Sequence, residues 1–478
     1  MSDTGGFGDI VERERGLRRT LSARRLTMIA LGGAIGTGLF LGSGLAISLA
    51  GPAVLVSYVV GALIALLLMG CLAEMTVAHP TSGSFGAYAE YYLGPLAGFL
   101  VRYAYWTSIV LAVGTEVTAV AVYMRFWFPQ LPGWLSIVGF SALLIGVNAL
   151  SVNVFGAVEY WFSAIKVGAI LVFIVLASYL LLHASSVAAP GSGAGSAAIG
   201  GLRNYTALGG FFPRGVWGAW VAVIVAIFSY LSIEMIAVAA GEAAHPEVAV
   251  ARAFRSTVLR LILFYLLTLA LVLAIVPWTA AGVEESPFVK VMRALRVPGA
   301  AGIFTFVILV AALSAMNSQL YITTRMMFSL SRAGYAPRRF GVLNRRGVPL
   351  QALLLSSIGI ALATVVSVVA PRGAFVLMVS ISAFGAMFAW LMIFVTHYFF
   401  RRARAHAGAP PLGFRMRGFP LTTLLGAMLM SAALLTTAFT DTFRLTLVFG
   451  LPFIAALCAI YWLRYREPRR GLSSSDPA

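Results

Sequence analysis

The chain has 478 residues, 60% hydrophobic and only 10% charged, and a mean hydropathy of +0.93. This lies far outside the range of soluble globular proteins and excludes that class. The net charge of +18 gathers in the loops of one side, where it faces anionic lipid, so a nucleic-acid-binding role is excluded as well.

The N-terminal segment 1–25 is basic, and no small-residue cleavage site follows a short apolar stretch, so the first span reads as an uncleaved anchor. About twelve apolar stretches follow, at 26–50, 52–78, 98–124, 133–151, 157–182, 215–240, 256–277, 300–323, 350–370, 374–400, 421–440 and 445–463. Each is close to the ~20 residues that cross a hydrocarbon core. The expected class is an all-α polytopic membrane protein.

The first span carries GGAIGTGLFLGSG at 32–44, with Gly32, Gly33, Gly36, Gly38, Gly42 and Gly44 inside one predicted helix. Such density weakens a helix and permits unwinding over Ala34, Ile35, Gly36, Thr37 and Gly38. Free amides there, with the positive end of the following half-helix, suit a carboxylate. Close helix packing through Gly32 and Gly36 is the alternative.

Within the third span Glu116 is expensive if ionised and unpaired, so it is protonated or paired. In the fifth span Lys166 stands alone in an apolar run. Only two of the 34 basic residues are lysine, Lys166 and Lys290. Arginine stays protonated, whereas a desolvated lysine loses its proton near neutral pH, so Lys166 is a candidate proton carrier. The alternatives are snorkelling to the interface or a silent pair with a carboxylate, Glu116 or Glu234.

A flexible Ala-, Gly- and Ser-rich loop at 184–201 leads to the sixth span, and Asn204, Tyr205 and Thr206 form a glycosylation-acceptor triplet. The sixth span holds a polar patch, Phe228, Ser229, Tyr230, Leu231, Ser232, Ile233 and Glu234. A second interrupted helix here would make spans 1–5 (26–182) and 6–10 (215–400) the halves of an inverted-repeat core spanning 26–400, with carbonyls free for an ammonium. Serine bonding its own backbone is the device available, since glycine is missing from this break. The basic loop 401–420, two further spans over 421–463 and the tail 464–478 complete the chain.

With a cytoplasmic N-terminus, inner segments hold 24 Lys and Arg and outer segments eight, Arg125, Arg203, Arg214, Lys290, Arg293, Arg296, Arg372 and Arg444. The positive-inside rule therefore places both termini in the cytoplasm. Cys71 and Cys458 lie in or beside apolar spans and do not suggest a disulfide framework. His79, His183, His245, His397 and His406 lack metal-ligand spacing, and HExxH, GxSxG and Walker sequences are missing, so no metal and no enzyme are expected.

RRLTMIALGGAIGTGLFLGSGLAISLAGPA at 24–53 closely resembles the opening of bacterial amino-acid permeases of the amino-acid, polyamine and organocation superfamily. The resemblance continues through AEMTVAHPTSGSFGAYAEYYLGPLAGF at 73–99, EYWFSAIKVGAI at 159–170, GGFFPRG at 209–215, AAGEAAHPE at 239–247 and NSQLYITTRMMFSLSRAGYAPRRF at 317–340. It implies a multi-pass protein of the cell inner membrane with a ten-helix, LeuT-like inverted-repeat core and two C-terminal helices. It also implies amino-acid import by proton symport with alternating access, with exchange or sensing as alternatives. The implied partners are an amino-acid substrate, a co-transported proton and membrane lipid, with no cofactor.

Position by position, the resemblance implies that Ala34, Ile35, Gly36, Thr37 and Gly38 hold the substrate carboxylate, chiefly through the last three amides. Carbonyls around Phe228, Ser229 and Leu231 take the ammonium. Glu234 and Glu116 touch the substrate or its proton, and Lys166 occupies the place that sodium fills in related transporters. Asn317 and Ser318 lie near the coupling site. Ser232 stands where many relatives carry glycine, which narrows the side-chain pocket, and the apolar setting favours small or apolar neutral substrates.

Overall fold

A computed structural model of the protein describes residues 6–17, 22, 28–29, 32–183, 200–243, 246–282, 284–294, 298–369 and 373–465. Arg18, Arg19, Arg24, Arg25, His245, Arg296, Arg372, Arg466, Arg469, Arg470 and nearly all of the loop at 184–201 lie outside the described residues, as do the side chains of Arg252, Arg255 and Arg260.

Glycine and proline punctuation divides the apolar chain into crossings. Nine helical stretches among the described residues are long and apolar enough to span a membrane. The first, Gly32–Ala78, runs for 47 residues and is split by a turn at Gly51–Ala53, where Gly51 adopts φ 63° ahead of Pro52. Proline fixes its own φ and glycine alone takes the left-handed value without strain, so the helix cannot run on. Pro246–Ile275 supplies a further crossing, and Leu350–Ser356 with Ile358–Val369 another, which brings the total among the described residues to twelve.

Two short helices had no counterpart in the sequence reading. Ser84–Leu93 lies between the second and third spans, and Pro287–Ala294 between the seventh and eighth. Equivalent positions in the two halves carry equivalent elements, as an inverted repeat requires.

The sixth span's apolar window is 100% buried and the third's 78%, against 22% for the fifth and twelfth. The sixth and third spans therefore sit in the middle of the bundle, and spans five and twelve turn one face outward. The third span packs against the eighth and tenth, the second against the sixth and seventh, and the last two spans lie against the tenth. Asn204 is buried and bonds the Ala274 carbonyl at 2.9 Å, so it is no surface glycosylation acceptor.

At the end of the bundle where the third span begins, the N-terminal helix Phe7–Arg13 packs through Phe7 against His79, Tyr88 and Tyr91. The Glu14 carboxylate that follows it is buried and accepts bonds from Thr81 Oγ1, the Gly83 amide and Ser329 Oγ, each at 2.6 Å. Arg13 forks onto Glu90 at 3.0 and 2.9 Å, and Glu90 also takes Arg102 at 2.7 Å. Arg102 is fully buried, which is tolerable only because Glu90, Glu14 and Ser329 face it.

Candidate functional site

The first span stops being helical where its glycines are densest. Residues 32–34 are helical, Ile35 and Gly36 bend, and Gly38–Gly42 is a π-helix ahead of the α-helix Ser43–Ala50. The break leaves carbonyls without helical partners, and side chains from other spans satisfy them. Lys166 Nζ donates to Gly32 O at 2.5 Å and Ile35 O at 3.0 Å, while the Tyr265 hydroxyl reaches Ala34 O at 2.7 Å. An ammonium suits this place, because a half-helix ends in the negative pole of its dipole.

Lys166 is fully buried and its third bond goes to Ser314 Oγ at 2.7 Å. Three acceptors match the three N–H groups of a protonated lysine. This excludes snorkelling in this conformation. Neither Glu116 nor Glu234 pairs with it directly. The Ser314 hydroxyl instead donates onward to Glu159, whose other oxygen accepts Asn317 Nδ2 at 3.0 Å. Asn317 in turn accepts from Asn148 at 2.8 Å, so spans four, five and eight share one polar chain. Glycine at 32 leaves room for these side chains, since a Cβ there would overlap Glu159 Oε1 and Ser163 Oγ and force them to shift.

Glu116 approaches the break from the opposite side. Its Oε2 accepts the Thr37 amide at 3.3 Å, and a Cβ on Gly36 would come within 2.9 Å of its Oε1. One of the amides expected to hold a substrate carboxylate thus already holds a carboxylate of the protein.

The sixth span breaks after Tyr230. Leu231 is extended at ψ 155°, and Ser232 takes φ 74°, a left-handed value that strains any residue except glycine. Glu234 fixes this turn: its Oε1 accepts the Ser232 amide at 3.2 Å and the Tyr105 hydroxyl at 2.5 Å. With that oxygen bonded to Tyr105 of the third span, Glu234 does not border the small central cavity. Ser229 carries bonds at both ends, with its hydroxyl to Tyr58 at 2.8 Å and its carbonyl to Tyr265 at 2.9 Å. The two breaks touch, since a Cβ on Gly38 would lie 2.8 Å from Ser229 Cα.

Between them remains a cavity of about 10 Å³, lined by Gly33, Ala34, Gly36, Gly38, Glu116, Phe228, Leu231 and Gln319. Of the expected residues, Ala34, Gly36, Gly38, Phe228, Leu231 and Glu116 border it. Ile35, Thr37, Ser229, Ser232, Glu234 and Lys166 lie behind it in the bonds described. A larger recess of about 570 Å³ opens at the far end of the third span, between Thr118, Tyr123, Arg125 and Glu284.

Glu159, Ser314, Tyr265, Tyr105 and Gln319 were not picked out from the sequence. Glu159 had a signal, because it precedes Lys166 by seven residues and so shares its helix face. Tyr265 had none, standing in the run LILFYLLTLALV.

A chain with two touching helix breaks, a buried lysine on one and a carboxylate on the other is matched over residues 25–473 by the amino acid permease family. The chain belongs to that family. This permease is 36% identical over 466 residues to the uncharacterized amino acid permease YtnA of Bacillus subtilis, covering 97% of this chain and 99% of that protein. It is 38% identical over 433 residues to the gamma-aminobutyric acid permease of the same organism, covering 91% and 90%. With the aromatic amino acid transport protein AroP of Salmonella typhimurium it shares 36% over 419 residues, covering 88% and 89%. Membership makes this permease a multi-pass membrane protein of a transport family and not an enzyme.

Proposed function

We propose that this permease imports a neutral amino acid across the cell inner membrane together with a proton, with both termini cytoplasmic. The arginine excess of the inner loops supports that orientation. The 570 Å³ recess then faces outward, and the N-terminal helix, tied down by Arg13 to Glu90 and by Glu14 to Gly83, lies on the cytoplasmic side. The substrate carboxylate takes the amides of Gly36, Thr37 and Gly38, and the ammonium takes carbonyls of the sixth-span break.

The observation that carries the reading is the bond from the Thr37 amide to Glu116. Two ionised carboxylates about 4 Å apart repel by about 4 kcal/mol at an effective dielectric constant near 20. A substrate carboxylate therefore reaches this amide when Glu116 is protonated, which links a proton to each substrate. Lys166, balanced by Glu159 through Ser314, holds the first-span break on its other side, and its deprotonation toward the cytoplasm would loosen the site. Inward movement of one net charge gains ~2.3 kcal/mol per 100 mV of membrane potential.

Glu116 is the only charged residue bordering the cavity among the described residues, and Phe228 and Leu231 supply apolar walls. This supports a neutral substrate. Relatives named for gamma-aminobutyric acid and for aromatic amino acids fit a site with no second fixed charge.

Thermal stabilisation of the purified protein against the twenty amino acids finds the ligand, because a ligand stabilises the state it occupies. Uptake of that ligand into proteoliposomes is then measured with and without an inward proton gradient. Accumulation only with the gradient supports symport. Gradient-independent flux that requires internal substrate overturns it in favour of exchange, and binding without flux overturns it in favour of sensing.

A further inference from the structure

The central site closes on itself, and Tyr265 has a large part in how. This residue of the seventh span is fully buried, with its hydroxyl 2.7 Å from the Ala34 carbonyl and 2.9 Å from the Ser229 carbonyl. One carbonyl comes from each broken span. The tyrosine ring is held independently of these bonds, packed against Tyr230 at 5.0 Å and Tyr58 at 6.2 Å between centroids. Opposite it, Glu116 covers the Thr37 amide. The space left, about 10 Å³, is at the limit of what one water needs.

We propose that the Tyr265 hydroxyl stands in for the substrate ammonium when the site is empty, so that the permease closes and reorients unloaded and is built for net uptake, not obligatory exchange. The proposal rests on the reading of the site as an amino-acid site.

A buried carbonyl with no donor is unfavourable, and water is squeezed out as the two breaks meet. A carrier without an internal donor would close readily only around substrate, and would therefore exchange. Here each end of the site has a protein group of the same kind as the substrate group it replaces: a carboxylate at the amide and a hydroxyl donor at the carbonyls. An arriving ammonium brings three N–H groups to carbonyls that share a single hydroxyl proton, so it displaces Tyr265 without leaving them bare. Tyr265 is a positioning residue in this scheme and makes its bonds in the unloaded state.

The test is Tyr265→Phe, which keeps the ring and removes only the hydroxyl. Two rates are compared in proteoliposomes with an amino acid that the unaltered protein carries: net uptake into empty vesicles, and exchange with substrate on both sides. The expected result is net uptake slowed about tenfold, with exchange within about twofold of the unaltered protein. In detergent, substrate should raise the melting temperature of Tyr265→Phe more than that of the unaltered protein, since only its empty form is weakened. Net uptake and exchange falling together overturn the proposal, as do rates and substrate-induced shifts that both stay unchanged. Failure of the unaltered protein to bind or move any amino acid overturns the amino-acid reading itself, whatever the variant does.

Discussion

Lys166 and Glu159 lie two turns apart on the fifth span and communicate through the Ser314 hydroxyl of the eighth, which accepts from the ammonium and donates to the carboxylate. Both side chains of the pair are fully buried. The pair's other bonds go to the first-span break on the lysine side and to Asn317 on the glutamate side. A change at any of the three should be felt at the break.

Ser314→Ala removes an acceptor from the ammonium and a donor from the carboxylate while leaving both charges buried. The expected loss of folding stability is about 1–3 kcal/mol, read as a lower melting temperature, and Ser314→Thr should recover most of it. Proton-driven uptake should fall with Ser314→Ala and return with Ser314→Thr. If alanine and threonine behave alike, the hydroxyl is not the link.

Ser232 carries the strain of the sixth-span break at φ 74°. Ser232→Gly relieves a left-handed conformation that costs an L-residue about 1–2 kcal/mol, offset by the greater freedom that glycine gives the unfolded chain. The Ser232 amide bond to Glu234 does not depend on the side chain. A net gain of up to ~1 kcal/mol is expected, whereas Ser232→Val should lower the melting temperature. A destabilised glycine variant would contradict this account of the turn.

Two groups outside the spans set the acid limb of stability. His79 stacks on Phe7 of the N-terminal helix at 4.0 Å. Burial, and then the charge of Arg404, lowers it from 6.5 to about 4. The unfolded chain thus binds this proton near pH 6.5 and the folded protein only near 4, so stability falls as pH drops across that window. Burial alone would raise Glu90, but the Arg102 and Arg13 guanidiniums override it and hold the carboxyl below its usual range. Its contribution is present above the ordinary carboxylate pKa and is lost as pH falls below it. The melting temperature should decline from about pH 6.5 downward, His79→Asn should flatten the upper part of the decline, and Glu90→Gln the lowest part.

The crossings and the first-span break were legible because lipid and backbone geometry write them locally: apolar runs of spanning length, and six glycines within 32–44. The lysine stood out for the same reason, as a charge that membrane burial makes expensive. Its partners did not, because Ser314 and Tyr265 gain their roles from distant spans brought together by packing. Glu234 shows the converse. Its place beside the break was readable, but its direction was decided by Tyr105 and the Ser232 amide. The short helices Ser84–Leu93 and Pro287–Ala294 escaped notice because they are far shorter than a crossing.

The central claim is that a substrate carboxylate and an ionised Glu116 do not share the Thr37 amide, so that substrate enters with a proton. Simultaneous measurement of amino-acid uptake and internal acidification, in proteoliposomes loaded with a pH-sensitive dye, tests it most directly. The account predicts that the unaltered protein takes up protons and amino acid in equal amounts, and that Glu116→Gln moves amino acid with no accompanying proton. Amino-acid entry without acidification in the unaltered protein, or an unchanged proton ratio in Glu116→Gln, would contradict it.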